Sequence, residues 1–365
     1  MKKKNKAIYL LFLMPFVYFA TACFVVWLVK TSGIYPSGSD TMYHVYRGDY
    51  VYNAIKSGNW YPLYDPAWYN GVEILRYWSP FPAYVMAFCQ YLAGGSQFGA
   101  YLFYIGGVCF LGACVWPFIG RGFNRPYLGA FIGLLWFFMP NNLCAIFIEG
   151  NLARSLSMIF LPVFIYSVYK YLYNHKLRYI PFMVFTFLLM ELCHLGYAGM
   201  VAIAVIIYGI VYIIQKGRKK AVLDVVISMI FGFMLLGIWL VASLRGGITS
   251  LDNSENMANF FQNLWITINP FERLTRGFEY FYFGFAALVV IVFGILFGYK
   301  KSRTGFVTGF IILLMTTKSA YAVLKHLPGS QYLWMLRFIS IALCMILMSF
   351  LMWDRLKKTL VLMLC

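Results

Sequence analysis

Residues 2–30, KKKNKAIYLLFLMPFVYFATACFVVWLVK, decide the fold. Four lysines stand in the first five positions, and the run from Ala7 to Val29 that follows has no charged side chain. A helix rises ~1.5 Å per residue, so a run of this length reaches across the ~30 Å hydrocarbon layer of a bilayer. The run is too long for the core of a cleaved signal peptide and offers no convincing cleavage site, so it reads as a retained anchor. Cys23, after Ala-Thr-Ala, resembles a lipoprotein site only faintly, because apolar residues continue beyond it.

The rest of the chain repeats this pattern. Hydrophobic residues make up 62% of the 365 positions and charged residues 12%, a balance that no soluble domain's half-polar surface tolerates. Further apolar runs lie at 98–120, 127–148, 155–173, 179–197, 199–215, 221–244, 283–299, 304–323 and 333–352, and an incomplete one starts at Thr359. The runs are unbroken and do not alternate, so helices, not a barrel, satisfy the backbone in lipid. The expectation is an all-α polytopic membrane protein of about ten transmembrane helices in one transmembrane domain spanning 1–365.

Charge sets the topology. The net charge of +18 does not read as a nucleic-acid surface, because the basic residues fall in short clusters between apolar runs. A shorter run, 81–95, opens with Pro80 and Pro82. If it does not cross, Arg121/Arg125, Lys170/Lys176/Arg178, Lys216–Lys220, Lys300–Arg303 and Arg355–Lys358 all share the side of Lys2–Lys6. Those clusters hold 19 of the 30 Lys and Arg residues. The positive-inside rule then makes the N-terminus cytoplasmic and 81–95 a surface or re-entrant helix. A long first loop (30–97), a second loop (245–282) and the short turn 149–154 face outward. The eight cysteines show no metal spacing and read as small hydrophobes.

Chemistry is sought in those outer segments. Asp40 follows the first helix by about ten residues, and the pattern from Thr41 to Ile55 is that of an amphipathic helix. His44 falls four residues after Asp40, so both can share a face, where they could deprotonate a hydroxyl or help bind a divalent cation. The plainer alternative is that Asp40 caps the helix and His44 packs. Asp49, Asp65 and Glu73 read as solvated or turn residues, with Asp65-Pro66 a turn starter. Glu149-Gly-Asn-Leu-Ala-Arg154 places an acid and a base at the membrane boundary; they either pair or leave Arg154 for a phosphate. Glu191 and His194 end an apolar run, and Arg337 lies inside the last one, where a cation must snorkel or find an anion. Asp252, Glu255, Glu272, Arg273, Arg276 and Glu279 in the second loop show no diagnostic spacing. There is no Gly-rich phosphate loop, nucleophile elbow or zinc motif, which argues against ATP-driven chemistry.

Several of these segments resemble a known family. Asp40-Thr-Met-Tyr-His44-Val-Tyr-Arg47, Gly58-Asn-Trp60-Tyr-Pro62, Asp65-Pro66-Ala-Trp68-Tyr-Asn-Gly71 and Ser79-Pro80-Phe-Pro82 resemble the first outer loop of bacterial membrane proteins labelled "6-pyruvoyl-tetrahydropterin synthase-related". The label implies no pterin chemistry. Glu149–Arg154 with Pro162, and Trp334-Met-Leu-Arg337-Phe, resemble further signatures. The resemblance is strong over the N-terminal third and loose elsewhere. It is similar in layout to the GT-C membrane glycosyltransferases, such as protein mannosyltransferases, oligosaccharyltransferases and aminoarabinose transferases.

What the resemblance implies is a GT-C-like helix bundle in the plasma (inner) membrane. It would transfer a sugar from a polyprenyl-phosphate donor to an extracytoplasmic acceptor, in one inverting displacement. Asp40 would be general base or metal ligand with His44 beside it; Arg47, Glu149, Arg154, His194 and Arg337 would meet substrate. Asp40 stands without the adjacent acidic partner of some relatives. The end at Cys365, inside an apolar run, implies a truncated C-terminus. The alternative is a non-enzymatic transporter, flippase or assembly factor for cell-surface polysaccharide, which predicts broken helices and polar groups at mid-membrane.

Overall fold

The computed structural model describes residues 2–245 except 37 and 69, 285–326 except 299, and 334–353. The second outer loop, apart from Arg245 at its edge, and the incomplete run from Thr359 lie outside the described residues, as do the six charged residues singled out in that loop.

The regular elements of the described chain are all helices, beside one isolated antiparallel bridge between Asp65 and Val72. The apolar anchor forms α1 (Lys2–Ser32), and the first outer loop folds into α2 (Thr41–Lys56), α3 (Ile74–Tyr77) and α4 (Phe81–Leu92). The bundle continues with α5 (Gln97–Gly122), α6 (Pro126–Trp136), α7 (Pro140–Phe147), α8 (Leu152–Asn174), α9 (Tyr179–Cys193), α10 (Leu195–Lys216), α11 (Lys219–Leu235) and α12 (Gly237–Arg245). After the undescribed stretch come α13 (Phe285–Phe297), α14 (Lys300–Met315), α15 (Lys318–Leu324), a 3-10 turn (Met335–Arg337) and α16 (Phe338–Leu351).

The ten expected apolar runs are recovered as helices, but not as ten unbroken spans. Four described helices are long and apolar enough to cross: Phe12–Ser32 of α1, then α5, α8 and α10. The run 127–148 breaks into α6 and α7, whose Pro126 and Pro140 each start a helix, as proline does at a first turn. The run 221–244 breaks at Leu236, where α12 bends 66° from α11; taken as single spans, these pairs raise the number to six. Residues 179–193 and 335–351 form shorter apolar helices, as do 288–297. Segment 81–95 becomes α4, whose twelve residues extend only ~18 Å, well short of the hydrocarbon thickness.

The core lies along α5, α8, α10 and α16, with α8 at its centre: most of α8 is buried all round. Trp116 of α5 and Trp136 of α6 are fully buried with ring centroids 5.3 Å apart. The first-loop helices have a smaller core of their own, built from Val51, Ile74, Leu75, Ala83 and Ala87.

Among the described residues, basic side chains from four clusters collect at one end of the bundle. Lys170 Nζ donates to Gly122 O, Arg125 Nη2 to Trp353 O at 2.7 Å, and Tyr173 OH to Lys301 O at 3.0 Å. Arg218 meets His175, and Tyr171 OH donates to Asp224 at 2.6 Å. The other end holds Asp40, Glu149, His194 and Arg337. The described cations and the candidate site thus lie at opposite ends of α8.

Candidate functional site

The site is assembled on the turn between α7 and α8. Glu149 N–H donates to Cys144 O at 2.8 Å and Asn151 N–H to Ala145 O at 3.0 Å, which folds the chain back sharply. Gly150 sits at the bend with φ +64°, where a β-carbon would lie 2.2 Å from Thr41 Oγ1 and 2.6 Å from Thr41 N. Only glycine fits both the conformation and the space. The first outer loop docks there: Asp40 N–H donates to Glu149 O at 2.9 Å, and Ser39 Oγ to the same oxygen at 2.9 Å. The start of α2 is thereby fixed to the start of α8.

Asn151 then caps α8. Its Oδ1 accepts the Arg154 N–H at 3.0 Å, leaving its Nδ2 free to face away from the helix. The Arg154 side chain has no exposure, and its Nη2 donates to Glu149 Oε1 at 2.7 Å. Glu149 Oε2 also faces Arg337 Nε at 3.5 Å. One carboxylate thus serves two arginines brought from α8 and from the turn before α16. The sequence left open whether Glu149 and Arg154 pair; they do. Arg154 Nε and Nη1 have no hydrogen-bond partner among the described residues.

Arg337 is placed by its neighbours. Its carbonyl accepts from Ser340 Oγ at 3.0 Å, Ser340 Oγ meets Tyr197 OH at 2.8 Å, and its guanidinium lies 4.6 Å from the centroid of Trp334. His194 sits between α9 and α10, where its Nδ1 accepts the Tyr197 N–H at 3.1 Å. Its Nε2 is 3.5 Å from both Arg337 Nη1 and Asn151 Nδ2.

Asp40 precedes α2 but makes no side-chain cap bond, so the plain capping reading does not hold. Its Oδ1 accepts from Ser39 Oγ at 3.2 Å, and its carboxylate stays partly exposed. Burial pushes its pKa above the ordinary value; Arg337 and Ser39 pull it back, Glu149 pushes it up, and Arg154 pulls it down. His44, on α2 as expected, is buried, and its pKa is lowered to about 3 by burial first and then by the charges of Arg47 and Arg337. It is therefore neutral near pH 7.

Arg47 was expected to meet substrate; its fully buried guanidinium instead faces the carbonyls of Ile74, Trp78 and Ser79 at 3.4, 3.2 and 3.5 Å and lies against the Tyr43 and Trp78 rings. Through Ser79, whose Oγ donates to Glu191 O at 2.8 Å and accepts Leu195 N–H at 3.2 Å, this strut reaches the backbone beside His194. The other loop acids are structural. Asp65 accepts from Tyr46 OH at 2.5 Å and from Ala67 N–H at 2.9 Å, Asp49 from Gln90 at 2.6 Å, and Glu73 pairs with Arg76.

Six expected residues therefore gather around one turn: Asp40, His44, Glu149, Arg154, His194 and Arg337. Sequence reasoning missed Asn151, Ser39 and Tyr197. Asn151 carried a signal, an asparagine directly before an apolar helical run, but its second role toward His194 depends on a distant segment. The described residues bring no three His, Cys, Asp or Glu side chains together as a metal cage. Two carboxylates set among arginines do not form a donor set for the divalent cation that Asp40 and His44 suggested.

Among known proteins, a family model described as "6-pyruvoyl-tetrahydropterin synthase related domain; membrane protein" matches residues 75–365. The match takes in Glu149, Arg154, His194 and Arg337 and leaves out residues 40–74, the reverse of the weighting suggested by the loop motifs. No curated protein and no solved structure matches.

Proposed function

On the premise that the chain belongs to this 6-pyruvoyl-tetrahydropterin synthase-related family of membrane proteins, we propose that it is a membrane glycosyltransferase of GT-C type. It takes a sugar from a polyprenyl-phosphate donor and passes it to a hydroxyl acceptor at the outer face of the inner membrane. In this reading the chain is one transmembrane domain with its N-terminus in the cytoplasm, and the first loop forms the roof of the site.

The observation that carries the reading is a partly exposed carboxylate, Asp40, fixed beside two arginines at the end of the bundle opposite the basic clusters. A carboxylate whose pKa is raised by burial is a stronger base than an ordinary aspartate. Asp40 takes the acceptor's proton as its oxygen attacks the anomeric carbon. The bond from that carbon to the phosphate oxygen breaks on the opposite side, and the phosphate leaves with the electron pair. Arg337 and Arg154 stabilise the charge that grows there. His44, neutral and buried, supports the Asp40 turn and does not exchange the proton.

Transfer of radiolabelled sugar from polyprenyl-phosphate donors, measured in membranes containing the protein, tests this. Asp40→Asn is expected to lower transfer by roughly a hundred- to ten-thousandfold with the protein still inserted, the range for removing a general base. A second reading, a transporter of lipid-linked sugars, is favoured by one observation: the broken pair α11–α12 with its 66° bend. No transfer with any donor would select it, whereas unchanged transfer in Asp40→Asn would keep a transferase and remove Asp40 as its base.

A further inference from the structure

The Nε2 atom of His194 faces two donors. Its Nδ1 accepts the Tyr197 N–H at 3.1 Å and so carries no proton, which leaves a neutral ring with its hydrogen on Nε2. The amide of Asn151 is oriented by the Arg154 N–H on Oδ1, so the group turned toward Nε2 is the NH2. The third group is Arg337 Nη1, which is always a donor. Three N–H groups from three helix junctions therefore converge, the two contacts with Nε2 standing at 3.5 Å, too far for good hydrogen bonds and of the wrong polarity for any. Arg154, with no exposure, adds unpartnered Nε and Nη1 atoms beside them. The charged groups that act on the seat are the guanidiniums of Arg154 and Arg337 and the carboxylates of Asp40 and Glu149, which balance and leave the seat itself without an anion.

A lone imidazole against a lone arginine would be a packing accident. Here each donor is fixed separately: Asn151 by its capping bond, His194 by Tyr197, and Arg337 by Ser340 and Trp334. Donors preorganised around a point where no acceptor stands among the described residues make a seat for an anionic oxygen. We infer that this seat, His194 Nε2–H, Asn151 Nδ2–H and Arg337 Nη1–H, binds a phosphate oxygen, with His194 acting as a neutral donor. The inference deepens the transferase reading and rests on it for the phosphate. It concerns binding without turnover, so either statement can fail while the other stands.

The test uses the purified protein in detergent and measures binding of a short-chain prenyl phosphate, inorganic phosphate and the matching prenyl alcohol. The prenyl phosphate is expected to bind more tightly than the alcohol by roughly ten- to a hundredfold, the value of a hydrogen-bonded charge. Inorganic phosphate competing as well as the prenyl phosphate would make free phosphate the ligand of the seat; failure to compete would make it the lipid-borne group. Asn151→Asp keeps the oxygen that caps α8 and replaces the NH2 with a built-in anion, so it should abolish this preference for phosphate without lowering the unfolding temperature. His194→Met should lose the preference and His194→Gln, which restores an N–H, should recover part of it. A 15N imidazole signal showing the proton on Nδ1, equal binding of phosphate and alcohol, or an unaltered preference in both Asn151→Asp and His194→Met would overturn the inference.

Discussion

Glu149 Oε1 lies 2.7 Å from Arg154 Nη2, and the arginine side chain has no contact with solvent. Four residues of turn and helix start separate them, so the pair is local in sequence, yet it sits where the first loop, α8 and the turn before α16 meet. Removing one member leaves a buried charge unmatched. Glu149→Gln is expected to destabilise the protein by about 3–5 kcal/mol, read as a lowered unfolding midpoint in detergent. Replacing both by methionine should recover much of the loss, because the stranded charge is then gone too. A loss in the double variant as large as in the single one would mean that the carboxylate matters for Arg337 rather than for Arg154.

Gly150 links that pair to the first loop. An alanine there must adopt φ +64° and push a methyl group into Thr41, whereas Gly33, at φ +69°, has open space around it. Gly33→Ala pays only the conformational cost, about 1 kcal/mol, while Gly150→Ala adds a clash that moves α2 away from α8. The expected result is a first loop that limited proteolysis cuts faster in Gly150→Ala than in Gly33→Ala, with both proteins still inserted. Equal cleavage would show that Asp40 does not depend on this close approach.

The sequence revealed the helical class through uninterrupted apolar runs, and the poles of the bundle through its lysines and arginines. Both are properties of chain composition against lipid, which one segment expresses without its partners. It also supplied α2 and most of the site, because Asp40, Glu149 and Arg154 each stand next to a helix start. The breaks in 127–148 and 221–244 were not legible: a hydropathy run does not record direction, and the bend at Leu236 is met by α3, where Trp239 Nε1 donates to Leu75 O at 2.7 Å. The positions of Arg47 and Asn151 were equally hidden. Arg47 looks like a surface cation on an amphipathic helix until the carbonyls of Trp78 and Ser79, over thirty residues on, surround it.

His44 gives the protein an acid sensitivity with a definite sign. Its folded-state pKa is lowered to about 3, against an ordinary value near 6.5 in the unfolded chain. Below that ordinary value the unfolded chain binds a proton that the folded one refuses, so the contribution to stability is present above about pH 6.5 and is lost as pH falls toward 3. The slope approaches about 1.4 kcal/mol per pH unit at most. Asp40, raised by burial, works in the opposite sense, gaining folded-state protons first as pH falls. Unfolding midpoints followed from pH 7 to 4 should therefore fall less steeply in His44→Asn than in the parent and more steeply in Asp40→Asn. Parallel curves for His44→Asn and the parent would mean that His44 is protonated in the folded protein.

The orientation of the bundle is open to direct measurement. The α8 helix runs from Leu152 beside the site to Asn174 among the basic residues, and its 23 residues extend ~34 Å, about one hydrocarbon thickness. Exposed positions at its two poles must therefore face opposite compartments. Asn59, between α2 and α3, and Lys176, after α8, are both exposed. With the exposed Cys23 replaced by alanine, Asn59→Cys is expected to react with an impermeant maleimide on intact cells, and Lys176→Cys only after permeabilisation. The reverse result would invert the topology and place Asp40 in the cytoplasm, where the acceptor would have to be found. Reaction of both from outside would mean that α8 does not cross, and the positive-inside argument would lose its footing.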